Sequence, residues 1–196
     1  MNLQVLEKTS DRAAEEQQLT LFGITWEQYE TLRDTLDDFA GLRMRYLQGT
    51  LELCMPSRQH ELLKKTIARL IEFYFLAANL KVYACGSTTY RKKVKERGLE
   101  PDESYCFDTE KDSPDLAIEV VITSGSIALL DIYRGLGVPE VWFWKDDRFW
   151  LYVLDGEQYR EVSRSQYLPN LDIDLLTRCV NIPDQNEAIA EFRKSI

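Results

Sequence analysis

Apolar and polar residues alternate with different periods along this chain, and the changes of period mark its elements. Thr25 followed by Gln28 forms a capping-box pattern ahead of "WEQYETLRDTLDDF", which predicts a first helix running to about Phe39. The stretch "LRMRYLQGTLELCMP" holds two short alternating runs about Gln48-Gly49 and reads as a β-hairpin. From about Arg58 to Ala78, Leu63, Ile67, Leu70, Ile71 and Tyr74 recur at offsets of three and four, which predicts a long core helix opened at Pro56-Ser57.

Three short runs rich in β-branched and aromatic residues follow, "KVYACGSTTYR", "ESYCF" and "DLAIEVVI". Ser126 to Leu136 reads as a helix ended by Gly137. Then "EVWFWK" and "RFWLYVL" pair across Asp146-Asp147, with a further strand near Gln158 to Val162 and a helical tail from about Asp184. The expected class is α/β in the mixed α+β sense, a mixed sheet flanked by helices. Residues 1–20 lack a sustained apolar stripe and are expected to form a loose arm, leaving one domain over 21–196.

Composition narrows the chemistry. The single histidine, His60, excludes multi-histidine zinc sites, so a metal here would take oxygen ligands. His60 itself reads as a packing or capping residue. The formal charge of -9 argues against a protein that coats nucleic acid, although "RKKVKER" carries five basic residues against one acid. Four widely spaced cysteines without a C-x-x-C pair fit a reducing, cytoplasmic setting. No leader pattern and no apolar run near about 18 residues is present, so no membrane partner is expected.

Candidate chemistry lies in the carboxylates. Asp102 follows Pro101 just before one strand, and Glu119 lies inside the apolar run "DLAIEVV". Burying an unpaired carboxylate costs several kcal/mol, so Glu119 should meet a cation, a hydrogen-bond donor or a metal. Two carboxylates at adjacent strand ends, with a glutamate from a helix, form the oxygen set that Mg²⁺ or Mn²⁺ takes. The bland alternative is a salt-bridged or edge-exposed glutamate.

The segments "LQGTLELCMPSRQHE", "GSTTYR", "GLEPDESYCF", "SPDLAIEVVITSGS" and "IYRGLGVPEVWFW" together resemble the Uma-two family of endonucleases, within the PD-(D/E)XK or restriction endonuclease-like superfamily. The resemblance implies a restriction endonuclease-like core and DNA phosphodiester as the substrate class. It also implies that Asp102 and Glu119 hold the metal and that Glu61, on the core helix, completes the site. Asp115 of "PDL" is a supporting candidate. The superfamily's lysine would fall at Val121, or in related sequences at Leu129, and both positions are apolar here. Lys92 and Lys93 are the expected substitutes, and Arg134 sits on a different face of its helix. Leaving out such a cation typically costs about 10²- to 10³-fold in rate. The competing expectation is therefore a non-catalytic binding or oligomerising protein on this scaffold. An apolar face built from Trp142, Trp144, Phe149, Trp150 and Tyr152 would suit a homodimer.

Overall fold

The computed structural model describes residues 16–122 and 128–196. Its first strand, β1 (Gln17–Phe22), runs into residues 16–20, which the polar pattern had assigned to a loose arm. The strand is recruited by pairing rather than by its own apolarity, because it lies antiparallel to β3 with Gln17 opposite Met55 and Phe22 opposite Thr50. Residues 1–15, the rest of that expected arm, lie outside the described residues. Helix α1 (Trp26–Leu36) opens with the capping box formed by Thr25 and Gln28. The hairpin is β2 (Arg43–Leu47) and β3 (Thr50–Met55), and helix α2 (Arg58–Ala77) starts at the N-cap Ser57.

The next segment holds more strands than its pattern announces. These are β4 (Val82–Ala84), β5 (Tyr90–Lys92), β6 (Arg97–Leu99), β7 (Glu103–Phe107) and β8 (Leu116–Val120). Three-residue strands are too short to show alternation, and β6 begins only at Arg97, the last residue of the basic run. Helix α3 (Leu129–Leu136) ends at Gly137, whose φ of 80° is the left-handed conformation glycine adopts without penalty. Residues 126 and 127 of the expected helix lie outside the described residues. Strands β9 (Glu140–Lys145), β10 (Arg148–Asp155) and β11 (Gln158–Val162) form a meander. Helix α4 (Ile173–Val180), capped by Asp172, was not anticipated, whereas α5 (Gln185–Arg193) is the expected helical tail and takes Asp184 as its N-cap.

Two sheets form where one was expected. One is antiparallel with order β1-β3-β2-β6-β5; the other, β11-β10-β9-β8-β7-β4, is mixed, its one parallel pair being β8 with β9 across the α3 crossover. This is the α+β, restriction endonuclease-like class. The main core lies between the six-stranded sheet and α2, α4 and α5, around Ile67, Leu70, Ile71, Trp142 and Leu176. On the opposite face, α3 packs against β5, β6 and β2, so the five-stranded sheet is joined to the rest through it. Trp142, Trp144 and Phe149 point into the core, leaving Trp150 and Tyr152 half-buried. Among the described residues no helix is long and apolar enough to cross a membrane.

Covered on both faces, β8 reads as a continuous apolar run with every residue from Leu116 to Val120 buried. Glu119 is therefore fixed in the interior by the same packing that makes its strand apolar.

Candidate active site

Strand β7 pairs antiparallel with β8, with Glu103 opposite Ile118. Asp102 is one step beyond that pair and so lies beside Glu119. Both residues are fully buried. The backbone N–H of Val120 donates to Asp102 Oδ2 at 2.7 Å, which fixes the aspartate against the end of β8. Asp102 and Glu119, paired in the sequence reading, are thus brought together by local strand register.

Their positive charge comes from the other sheet. Strand β2 presents Arg43 and Arg45, two residues apart and hence on one face. Arg43 donates to Asp102 Oδ1 and, through its other terminal nitrogen, to Glu61 Oε1 at 3.0 Å. Arg45 donates to Glu119 Oε2 at 3.2 Å and to Glu52 Oε1 at 3.0 Å, its direct cross-strand partner on β3. Burial works against the charge on Arg45, but Glu119 and Glu52 more than offset it and push its pKa upward. Arg45 Nε is buried with no hydrogen-bond partner among the described residues, leaving one donor of the fork unused.

Three further groups complete the cluster. His60 bridges two carboxylates, with Nε2 at 2.8 Å from Asp102 Oδ1 and Nδ1 at 2.6 Å from Glu16 Oε1. It is buried, as a packing role requires, but its ring also joins these two carboxylates, and the helix cap is Ser57. Tyr133 on α3 donates to Glu119 Oε1; burial first and the Glu119 charge second raise its hydroxyl well above the ordinary tyrosine range. Lys64, one helical turn beyond His60, is the only buried lysine among the described residues. Its Nζ donates to Ser87 Oγ at 3.0 Å and lies 3.9 Å from Glu61 Oε2, while Ser87 Oγ donates to the Asp102 carbonyl at 3.1 Å. Burial and the neighbouring Arg43 charge push the Lys64 pKa down.

The other candidates are placed elsewhere. Lys92 donates to the Leu136 carbonyl at 2.6 Å, tying β5 to the end of α3, and Lys93 pairs with Glu27 at 3.3 Å on the surface. Neither reaches Asp102. The basic run folds as β5, a short helical turn and β6, and its Arg97 is buried over Gly135, where a Cβ would stand 1.9 Å from Arg97 Cδ. That run is a structural clasp on α3. Asp115 accepts from the Phe107 N–H, Lys111 and the Tyr167 hydroxyl, so it fastens the β7–β8 connection. Arg134 pairs with Asp131 on the exposed side of α3. Leu129 and Val121 line an apolar groove of about 510 Å³ with Leu130, Phe143 and Tyr152.

Arg43, Arg45 and Lys64 are the residues sequence reasoning passed over, and for His60 it offered only packing or capping, not its two carboxylate contacts. One signal for the arginines was available: two guanidinium groups two residues apart on a half-buried strand need buried acceptors, by the argument applied to Glu119.

Asp102, Glu119 and Glu61 supply hard oxygen donors, the kind Mg²⁺ or Mn²⁺ takes. All four oxygens of Asp102 and Glu119 are engaged, by guanidinium, imidazole, phenol and amide donors. Among the described residues no group of three His, Cys, Asp or Glu side chains is arranged to hold a metal ion.

A search of the curated proteins found no match. The family model described as "Putative restriction endonuclease" matches residues 26–182, most of the chain, and leaves β1 and Glu16 outside. With that match, and with its restriction endonuclease-like fold, the chain belongs to the Uma2 family.

Proposed function

We propose that the protein is a metal-dependent endonuclease acting on DNA phosphodiester bonds, with its centre held in a closed resting form by Arg43 and Arg45. The observation that supports this most is the convergence of Asp102 and Glu119 at adjacent strand ends in a chain of this family. In the reading, Asp102 and Glu119 hold Mg²⁺ or Mn²⁺ and Glu61 assists. The ion would polarise a phosphoryl oxygen and activate water for in-line attack.

The chain's own groups have separate tasks. Arg43 and Lys64, on either side of Glu61, hold positive charge where negative charge builds on the phosphorus. Arg45 neutralises Glu119, and a metal ion held by Glu119 would take over that charge compensation. With Leu129 where relatives would place lysine, turnover is slow, by about 10²- to 10³-fold. A second reading, a non-catalytic scaffold, is favoured by one specific observation: guanidinium groups already neutralise both carboxylates inside the protein.

The test incubates supercoiled plasmid and short DNA and RNA oligonucleotides with the protein in Mg²⁺ or Mn²⁺, beside Asp102→Ala, Leu129→Lys and Arg45→Gln variants. Slow nicking of DNA by the wild-type protein, lost in Asp102→Ala and faster in Leu129→Lys, is expected. Inertness of wild type, Leu129→Lys and Arg45→Gln with both metals would favour the scaffold.

A further inference from the structure

The outer edge of the six-stranded sheet carries a second reactive pair, separate from the carboxylate centre. Cys85 follows the last residue of the edge strand β4, and its N–H donates to the Ser104 carbonyl of β7 at 2.8 Å. That register sets it diagonally across from Cys106, also on β7, and the two sulfurs are 3.8 Å apart. Both are free thiols. They differ in access, since Cys85 is half-buried and Cys106 fully buried. A cavity of about 670 Å³ whose lining includes Ala84, Cys85, Thr88, Glu110, Lys111 and Asp112 opens beside the outer thiol.

We propose that Cys85 and Cys106 form a thiol–disulfide exchange site for low-molecular-weight disulfides such as oxidised glutathione, with Cys85 reacting first and Cys106 resolving. The Cys85 thiolate attacks one sulfur of glutathione disulfide, forming a mixed disulfide and releasing one glutathione thiolate. The Cys106 thiolate then attacks the Cys85 sulfur, forming the intramolecular disulfide and releasing the second. Two protein thiols are oxidised, one glutathione disulfide is reduced to two thiols, and the protein thiols' protons pass through water to the departing thiolates.

The positions suit these roles. A disulfide bond is about 2.05 Å long, so the sulfurs must close by under about 2 Å. Cys85 lies past the end of a three-residue edge strand and before Gly86, whose φ is +56°, so the adjustment falls on the loop rather than on β7. Burial pushes the Cys106 thiol up, which lowers its thiolate fraction and slows the resolving step. The loop also leads to the candidate centre. Ser104 Oγ donates to the Gly86 carbonyl at 2.7 Å, and Ser87 contacts both Asp102 and Lys64. Oxidation would fasten this loop behind Asp102.

The experiment treats reduced, folded protein with glutathione buffers of increasing oxidised fraction, followed by thiol counting, intact mass and peptide mapping. Wild type and Cys54→Ser are expected to lose two thiols and two hydrogen masses and to yield a Cys85–Cys106 cross-linked peptide. Cys106→Ser should stop at one glutathione adduct on Cys85, and Cys85→Ser should keep its thiols free, with circular dichroism confirming that each variant folds. Four free thiols in wild type under all buffers, a stable adduct without cross-link, or a cross-link through Cys54 or Cys179 would overturn the proposal. None of these readouts depends on nuclease activity.

Discussion

Two places in this molecule that the family pattern would join as one catalytic site have gone different ways. At the ends of β7 and β8, Asp102 and Glu119 sit in a dense net of charged donors. At Val121 and Leu129, two residues beyond Glu119 and one helical turn before Tyr133, the surface is a mainly apolar groove lined also by Asp131, Lys145 and Asp146. The apolar side chains at Val121 and Leu129 have not left the first place uncompensated. Arg43 and Arg45 reach across from β2 and Lys64 from α2, so the charge balance of a buried site is met from whichever element can supply it. Glu140 shows the bland form of the same rule. It is as buried as Glu119, but neutral donors satisfy it, the Trp142 indole at 2.5 Å and the Gln166 N–H at 3.0 Å.

If the arginines truly carry this balance, breaking the Arg45 contact should have the largest effect. Arg45→Gln strands Glu119 in the interior, and loss of one partner of a buried pair costs about 3–5 kcal/mol, a fall of roughly 10 °C in melting temperature. Adding Glu119→Gln should return most of that loss, and a double-mutant cycle in urea measures the coupling. Additive effects would mean that the two groups do not interact.

Asp115→Ala comes next. It frees the Phe107 N–H and the Tyr167 hydroxyl, for a cost of about 1–3 kcal/mol, while cleavage per folded molecule should stay unchanged. A loss of cleavage without a loss of stability would return Asp115 to the site.

The buried tyrosines give a pH signature. Burial raises Tyr133 and Tyr105 well above the ordinary tyrosine range, and Tyr29 and Tyr90 up to about 12. Between pH 10 and 12 the unfolded chain therefore releases phenol protons that the folded chain retains. Stability is fully present below pH 10 and falls as pH climbs through this window. Urea midpoints across it should show the decline, and Tyr133→Phe should make it shallower. The smallest effect is expected at the groove: Leu129→Lys, half-buried in the first turn of α3, should change stability by under about 1 kcal/mol.

Local patterns were well marked in the chain. The Thr25 capping box, the Gln48-Gly49 hairpin, the Ser57-capped core helix and the meander across Asp146-Asp147 all appear where their residues place them. What involves distant pairing was not legible. Nothing in "QQLTLF" announces that it will lie along β3, and nothing in "RMRYL" says that its arginines face carboxylates about sixty and seventy residues away. Lys92 and Lys93 illustrate the same limit from the other side. Nearness in sequence to Asp102 suggested them as its cations, yet the β5–β6 turn carries them toward α3 and α1. Site carboxylates can be read from a strand's anomalous charge, whereas their partners depend on which sheet face packs against them.

Displacement of an arginine by a divalent ion is the step on which the account rests, and calorimetric titration of Mn²⁺ into folded wild type, Arg45→Gln and Asp102→Ala tests it most directly. Weak binding to wild type, binding at least about tenfold tighter to Arg45→Gln, where about 1.4 kcal/mol of competition is removed, and none to Asp102→Ala are expected. Equal affinity in wild type and Arg45→Gln, or undiminished binding to Asp102→Ala, would contradict it.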